Sequence, residues 1–151
     1  YMAKGLETAS VIGRLQKVAD SPTVLVDVAH NPQSAKALAD YLADVSIEGK
    51  TIALFSALND KDLNGIFSPL SDSFDEWHLV QLDGPRASQN ELLLSELRQL
   101  GLEEPIKSHT NFSAALKSLQ NELESKDRVV AFGSFLVVSG VMQDLNTSVN
   151  N

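Results

Sequence analysis

Apolar runs alternate with stretches of helical spacing along most of the chain. Residues 23–29 (TVLVDVA) are rich in β-branched side chains and predict a buried strand. In residues 32–45 (PQSAKALADYLADV), Ala35, Leu38, Ala39 and Leu42 recur at helical spacing behind Pro32, which suits a first helical turn. Residues 51–58 (TIALFSAL) predict a second buried strand, and residues 60–70 (DKDLNGIFSPL) a shorter helix capped by Asp60. Residues 77–82 (WHLVQL) predict a third strand, closed by the Gly-Pro turn of DGPRAS. A helix follows over residues 88–100, with Ser88 and Glu91 spaced as a capping box and Gly101 as its stop. PIKSHT holds a short strand and residues 111–126 an amphipathic helix. RVVAFGS is a last buried strand, and FLVVSGVMQDL a closing helix.

Strand followed by helix, repeated, is the signature of βαβ units. The expected fold class is α/β: a Rossmann-like, doubly wound, mostly parallel sheet of about six strands with helices on both faces. Residues 10–22 (SVIGRLQKVADSP) break the series, and their alternation predicts an extended strand or hairpin on an edge. The expected organisation is one domain over residues 10–146, with residues 1–9 as linker or added residues and residues 147–151 as a tail.

Composition narrows the chemistry. The 151 residues suffice for one buried core, and 43% hydrophobic and 21% charged residues are ordinary for a globular chain. A net charge of −8 argues against non-specific binding to nucleic acid or anionic membrane, while leaving room for a locally basic nucleotide pocket. The absence of cysteine excludes disulfides and thiolate metal sites, and fits a reducing cytoplasm. No apolar run has the length of a membrane span, and residues 1–10 lack the plan of a signal peptide.

In open α/β sheets ligands bind beyond the carboxyl ends of the strands. Four polar groups follow predicted strands: Asp27 to Asn31, Asn59 to Asp62, Asp83 to Ser88, and Gly133 with Ser134. Each has a plainer reading. His30 and Asn31 suit a helix cap as well as a ligand; Asp60, Lys61 and Asp62 suit a cap plus solvated charges. Arg86 is either an exposed turn residue or a clamp for a carboxylate or phosphate. Gly133 and Ser134 suit a close-packed turn or a backbone surface for a ligand. Arg14, the single charge in GRLQ, is either an ordinary surface residue or a phosphate ligand. Functionally, Asp27 would accept hydrogen bonds from ribose hydroxyls, and His30 would donate one or stack on a ring. The sequence holds no GxxxxGK[ST] phosphate loop, no GxGxxG fingerprint and no serine nucleophile elbow. Its three histidines lie far apart in sequence, which argues against a histidine-based metal site.

GRLQ, VLVDVAHNPQSAKAL, LNDKD, LDGPRAS and AFGSFLVVSGVM occur in the order and spacing of one known domain. Over roughly residues 6–145 the chain resembles the C-terminal domain of bacterial bifunctional folylpolyglutamate synthase/dihydrofolate synthase, within the Mur ligase superfamily. The resemblance implies a cytoplasmic, monomeric ATP-dependent ligase of folate biosynthesis. Its N-terminal P-loop domain carries the phosphate loop, the Mg2+ ligands and most of the folate pocket, and that domain is expected outside this sequence. ATP activates the carboxylate of dihydropteroate or a folate as an acyl phosphate, which the amine of L-glutamate attacks. By that likeness Arg14, Asp27 and His30 bind ATP, and Asn31, Lys61, Asp62, Arg86 and Ser134 are candidate contacts in the interdomain cleft. No metal ligand is expected in this domain, and the domain alone is expected to be inactive. The competing expectations are the C-terminal domain of a cell-wall Mur ligase, and a stand-alone α/β binding module.

Overall fold

The computed structural model describes residues 15–20, 22–27, 31–57, 62–82, 89–102, 105–133 and 137–143. Six strands form one sheet: β1 (Gln16–Ala19), β2 (Thr23–Asp27), β3 (Thr51–Phe55), β4 (Glu76–Val80), β5 (Ile106–His109) and β6 (Arg128–Phe132), in the order β1-β2-β6-β3-β4-β5. β1 runs antiparallel to β2, and every other pairing is parallel. The doubly wound expectation holds, and so does the edge strand predicted for the first segment.

Helices cover both faces. α1 (Pro32–Asp44), α2 (Leu63–Phe67) and α3 (Asn90–Gln99) pack on one face through Leu38, Ile66 and Leu93. That face is aromatic: Phe55, Phe67, Phe74, Trp77 and Phe132 meet in edge-on and stacked pairs. Full burial of each such phenylalanine contributes about 1.5–3 kcal/mol. The other face is aliphatic, with Val26, Ile52, Leu54 and Val129 beneath α4 (Phe112–Glu122) and the helical residues 137–143. The central strands β3, β4 and β6 are buried at every position, as strands covered on both faces must be.

Local chemistry sets the helix ends. Asn31 and Asn111 cap α1 and α4, each accepting a hydrogen bond from the N–H three residues on, at 2.8 Å. Asp62 caps α2, its carboxylate accepting from Gly65 N–H at 3.0 Å; the expected cap, Asp60, lies outside the described residues. The helix expected over residues 60–70 divides, because Pro69 lacks an N–H and crowds the preceding turn, so Ser68–Leu70 closes as 3-10 helix. Gln89 precedes α3 without a side-chain cap bond, and Ser88, the expected capping-box residue, is outside the described residues. Gly101 does stop that helix, at φ +83°. α4 ends at Glu122, short of the predicted residue 126. Leu123 turns extended, and the Glu124 N–H is drawn to the Asp127 carboxylate at 2.9 Å.

The amino end of the sheet is bound together by side chains on backbone. Asp127 accepts from Lys50 N–H at 2.9 Å as well as from Glu124 N–H. Asp75 accepts from Thr51 N–H at 2.9 Å. Arg128 donates to the Val45 carbonyl at 2.6 Å and to Thr51 Oγ1 at 3.0 Å.

Candidate functional site

The register aligns the carboxyl ends of three central strands. Asp27 stands beside Phe132, and Phe132 beside Phe55, so β2, β6 and β3 end level. Asp27 is the one charged residue of that row; it is buried, at 7% exposure, and is engaged within the protein. Immediately beyond β6, Gly133 adopts φ +102°. A Cβ there would sit 2.3 Å from the Phe55 ring and 2.4 Å from the Ser56 carbonyl oxygen, so the chain leaves β6 pressed against the end of β3. The small residue predicted for this turn is therefore required both by conformation and by space.

Two helix starts adjoin the same rim. Asn31 caps α1, and Asp62 caps α2. A Cβ on Gly65 would lie 2.6 Å from the Pro32 ring, so the first turns of α1 and α2 touch. Of the predicted site residues, the structure thus brings Asp27, Asn31 and Asp62 to one end of the sheet, with Asn31 and Asp62 acting as caps. Arg14, His30, Lys61, Arg86 and Ser134 lie outside the described residues.

Further along the rim, Asn90 anchors the start of α3. Its backbone N–H donates to Gln81 Oε1 at 3.0 Å and its side-chain amide to the His109 carbonyl at 2.9 Å, while its Oδ1 is buried without a partner. A cavity of about 320 Å³ opens there, lined by Gln81, Asn90, Leu94, Ser108, His109 and Thr110. Ser56 Oγ, just past β3, is a second buried hydroxyl or amide oxygen without a partner.

A second polar group lies between β4, β5 and α4. His78 is fully buried, with Nε2 at 2.5 Å from Glu76 Oε2 and Nδ1 at 2.8 Å from His109 Nε2. Lys107 donates to Glu122 at 2.7 Å, and Ser118 donates to the same oxygen at 3.0 Å. The hydrogen bond to Glu122 raises the Lys107 pKa, and the same bond lowers that of Glu122. Burial, aided by the charges of His78 and Lys107, lowers that of His109. Glu76, His78 and Glu122 each bring one ligand atom within 4.8 Å of the others. Separation in sequence argued against a histidine-based metal site. That premise fails for His78 and His109, because the parallel register of β4 and β5 sets His78 beside Lys107 and brings the histidines together. The alternation Glu76, His78 on one strand and Lys107, His109 on the next was the available signal, although the predicted third strand began at Trp77 and left Glu76 outside it: polar residues of one parity in paired strands share a face.

Fold and rim together define a class. The chain belongs to the Mur ligase family: residues 13–135 match the Mur ligase, glutamate ligase domain. It is 35% identical to a dihydrofolate synthase/folylpolyglutamate synthase of Haemophilus influenzae, over 91% of this chain and 36% of that protein. Its backbone is similar to Escherichia coli FolC in complex with ADP, with TM-score 0.82 and 32% identity over 92% of this chain and 32% of that one. It is similar too to a bifunctional folylpolyglutamate synthase/dihydrofolate synthase with Mn, AMPPNP and L-glutamate bound, with TM-score 0.80 and 35% identity over 93% of this chain and 33% of that one. The chain therefore spans about a third of the length of the relatives it matches.

Proposed function

We propose that this chain is the nucleotide-contacting C-terminal domain of an ATP-dependent ligase that adds L-glutamate to dihydropteroate, to tetrahydrofolate polyglutamates, or to both. The observation that carries the reading is the level ending of β2, β6 and β3. It places the Asp27 carboxylate, the Gly133 turn and the start of α1 on one rim, in a fold whose relatives bind ADP, AMPPNP and L-glutamate.

In this reading Asp27, an acceptor on a rigid strand end, holds ribose hydroxyls or a basic partner. Arg14 neutralises phosphate oxygens as the γ-phosphoryl moves to the substrate carboxylate. In the same reading His30 contributes to ATP binding, and Asn31, Lys61, Asp62, Arg86 and Ser134 are candidate contacts for the cleft or substrate. The acyl phosphate forms with release of ADP. The glutamate amine then attacks the acyl carbon, phosphate departs, and an amide remains. Closure of this domain on its own N-terminal P-loop domain keeps water from the acyl phosphate.

Mg2+ demands several oxygen ligands in octahedral array. Among the described rim residues Asp62 is committed to capping α2 and Asp27 is engaged within the protein, so these residues do not fit that ion. Its ligands are assigned to the N-terminal domain, and no step here runs through the metal. A monomer in the cytoplasm completes the reading; no helix among the described residues is long and apolar enough to cross a membrane.

The test is ATP-dependent glutamate addition by the full-length protein. Asp27→Ala is expected to lower kcat/KM for ATP at least tenfold, or about 1.4 kcal/mol of transition-state binding. Unchanged rate and ATP affinity would remove Asp27 from the site. The chain alone is expected to show no turnover, and clear activity would overturn the division of labour between domains.

A further inference from the structure

The cluster between β4, β5 and α4 has no task in the ligase reading. We propose that Glu76, His78 and Glu122 form a binding site for a divalent transition-metal ion of the Zn2+ type, and that the Lys107 ammonium occupies the ion's place until it binds.

The donor set is one imidazole nitrogen and two carboxylate oxygens, all within 4.8 Å, which suits first-row transition ions better than Mg2+ or Ca2+. The imidazole is already oriented for the task. His78 directs Nε2 at the carboxylates, while His109 holds Nδ1 at 2.8 Å. The two ring planes lie 8° from parallel with centroids 5.0 Å apart, and 2.8 Å between nitrogens is too short for face-to-face stacking. They meet edge to edge through one N–H···N bond. A ligating histidine is commonly held through its second ring nitrogen in this manner. With Glu76 ionised, His78 donates from Nε2 to it and accepts at Nδ1 from His109. An ion at Nε2 moves the His78 proton to Nδ1, and the bond to His109 reverses: His78 Nδ1–H donates to His109 Nε2, whose own proton passes to its Nδ1.

Charge points the same way. Glu76 is buried, and a buried carboxylate beside a second carboxylate requires a cation. Lys107 supplies it now, at 2.7 Å from Glu122 and 3.9 Å from Glu76, with Lys50 at 4.0 Å from the other Glu76 oxygen. Both lysine side chains are about half exposed, at 43% and 52%. Either can swing into water, so an arriving ion replaces a mobile cation and leaves no charge buried alone. Glu122, at 28% exposure, keeps one side of the site open for a bound water as the fourth ligand.

The probe is Zn2+, titrated calorimetrically into the full chain at neutral pH with Mg2+ in excess, without ATP or folate, so the outcome is independent of the ligase reading. One Zn2+ per chain is expected. Glu122→Gln, a partly exposed change that spares the fold, is expected to weaken binding at least tenfold, and His109→Gln by about 10–100-fold through the lost orientation of His78. Lys107→Ala removes the competing ammonium and is expected to tighten binding several-fold. No binding by the wild type and by Lys107→Ala, or an affinity that Glu122→Gln leaves unchanged, would overturn the site.

Discussion

The two ends of the sheet are built on opposite terms. At the amino end, Asp75, Asp127 and Arg128 place their polar atoms on backbone groups or on Thr51, mostly across segments distant in sequence. At the carboxyl end, Asn31 and Asp62 cap helices locally, Asn90 alone reaches across to the His109 carbonyl, and two buried atoms, Ser56 Oγ and Asn90 Oδ1, have no partner. Among the described residues the third such atom, Trp77 Nε1, lies in the aromatic core. An unpaired buried polar atom costs about 1–3 kcal/mol, so a fold tolerates few of them. The amino end fastens the sheet, while the carboxyl end keeps hydrogen-bonding capacity in hand, as suits the proposed ligand rim.

The sharpest way to break that contrast is Gly133→Ala. Positive φ and a methyl forced against Phe55 and Ser56 together are expected to cost about 3–5 kcal/mol in urea denaturation. A loss below 1 kcal/mol would mean that the rim yields, and that its close packing is not a constraint. Next is Asp127→Ala, which orphans the N–H groups of Lys50 and Glu124 and is expected to cost about 2–4 kcal/mol, with no change in ATP affinity of the full-length protein. An altered ATP affinity would erase the distinction between the ends. Asn31→Ala is expected to cost about 1 kcal/mol, the worth of one cap. A loss of ATP affinity in that variant beyond tenfold would give Asn31 a role besides capping.

The smallest effect is a slope with pH in metal-free buffer. His109 is held below 6.5 in the folded chain, chiefly by burial, so the unfolded chain binds the proton more readily. Stability is complete above about pH 6.5 and falls as pH drops toward the folded value. Glu122, held below 4.5 by the hydrogen bond from Lys107, contributes stability above that pH and loses it as pH falls through its folded value. His109→Gln should abolish the upper step and keep the lower one; two steps persisting in that variant would assign the upper one elsewhere.

Much of this was legible in sequence because it rests on periodicity. β-branched runs marked the buried central strands, Asn31 and Gly101 marked helix ends, and the odd first segment became the antiparallel edge. What escaped were features decided by neighbours across the sheet. α4 stops early because Asp127, on the far side of a turn, captures the Glu124 N–H. Asp62 caps α2 in a turn that lies against Pro32, a neighbour thirty residues away in sequence. The His78–His109 pair depends on strand register, which no window along one strand contains. The rim residues carried their position in the local order of strand then helix, which is why Asp27 and Gly133 could be singled out before any coordinates.

The place of β6 has a consequence for how the domain forms. β2 and β3, separated by one helix in sequence, are not neighbours; the last strand stands between them, pairing Thr23 with Arg128 on one side and Thr51 with Arg128 on the other. A nascent chain that has made β1 through β5 holds two sheet fragments with unpaired inner edges, and such edges favour aggregation. Closure of these distant pairings makes folding slow relative to a local topology. Assembly of the rim is thus a late event, completed in the same step that joins the two halves of the sheet.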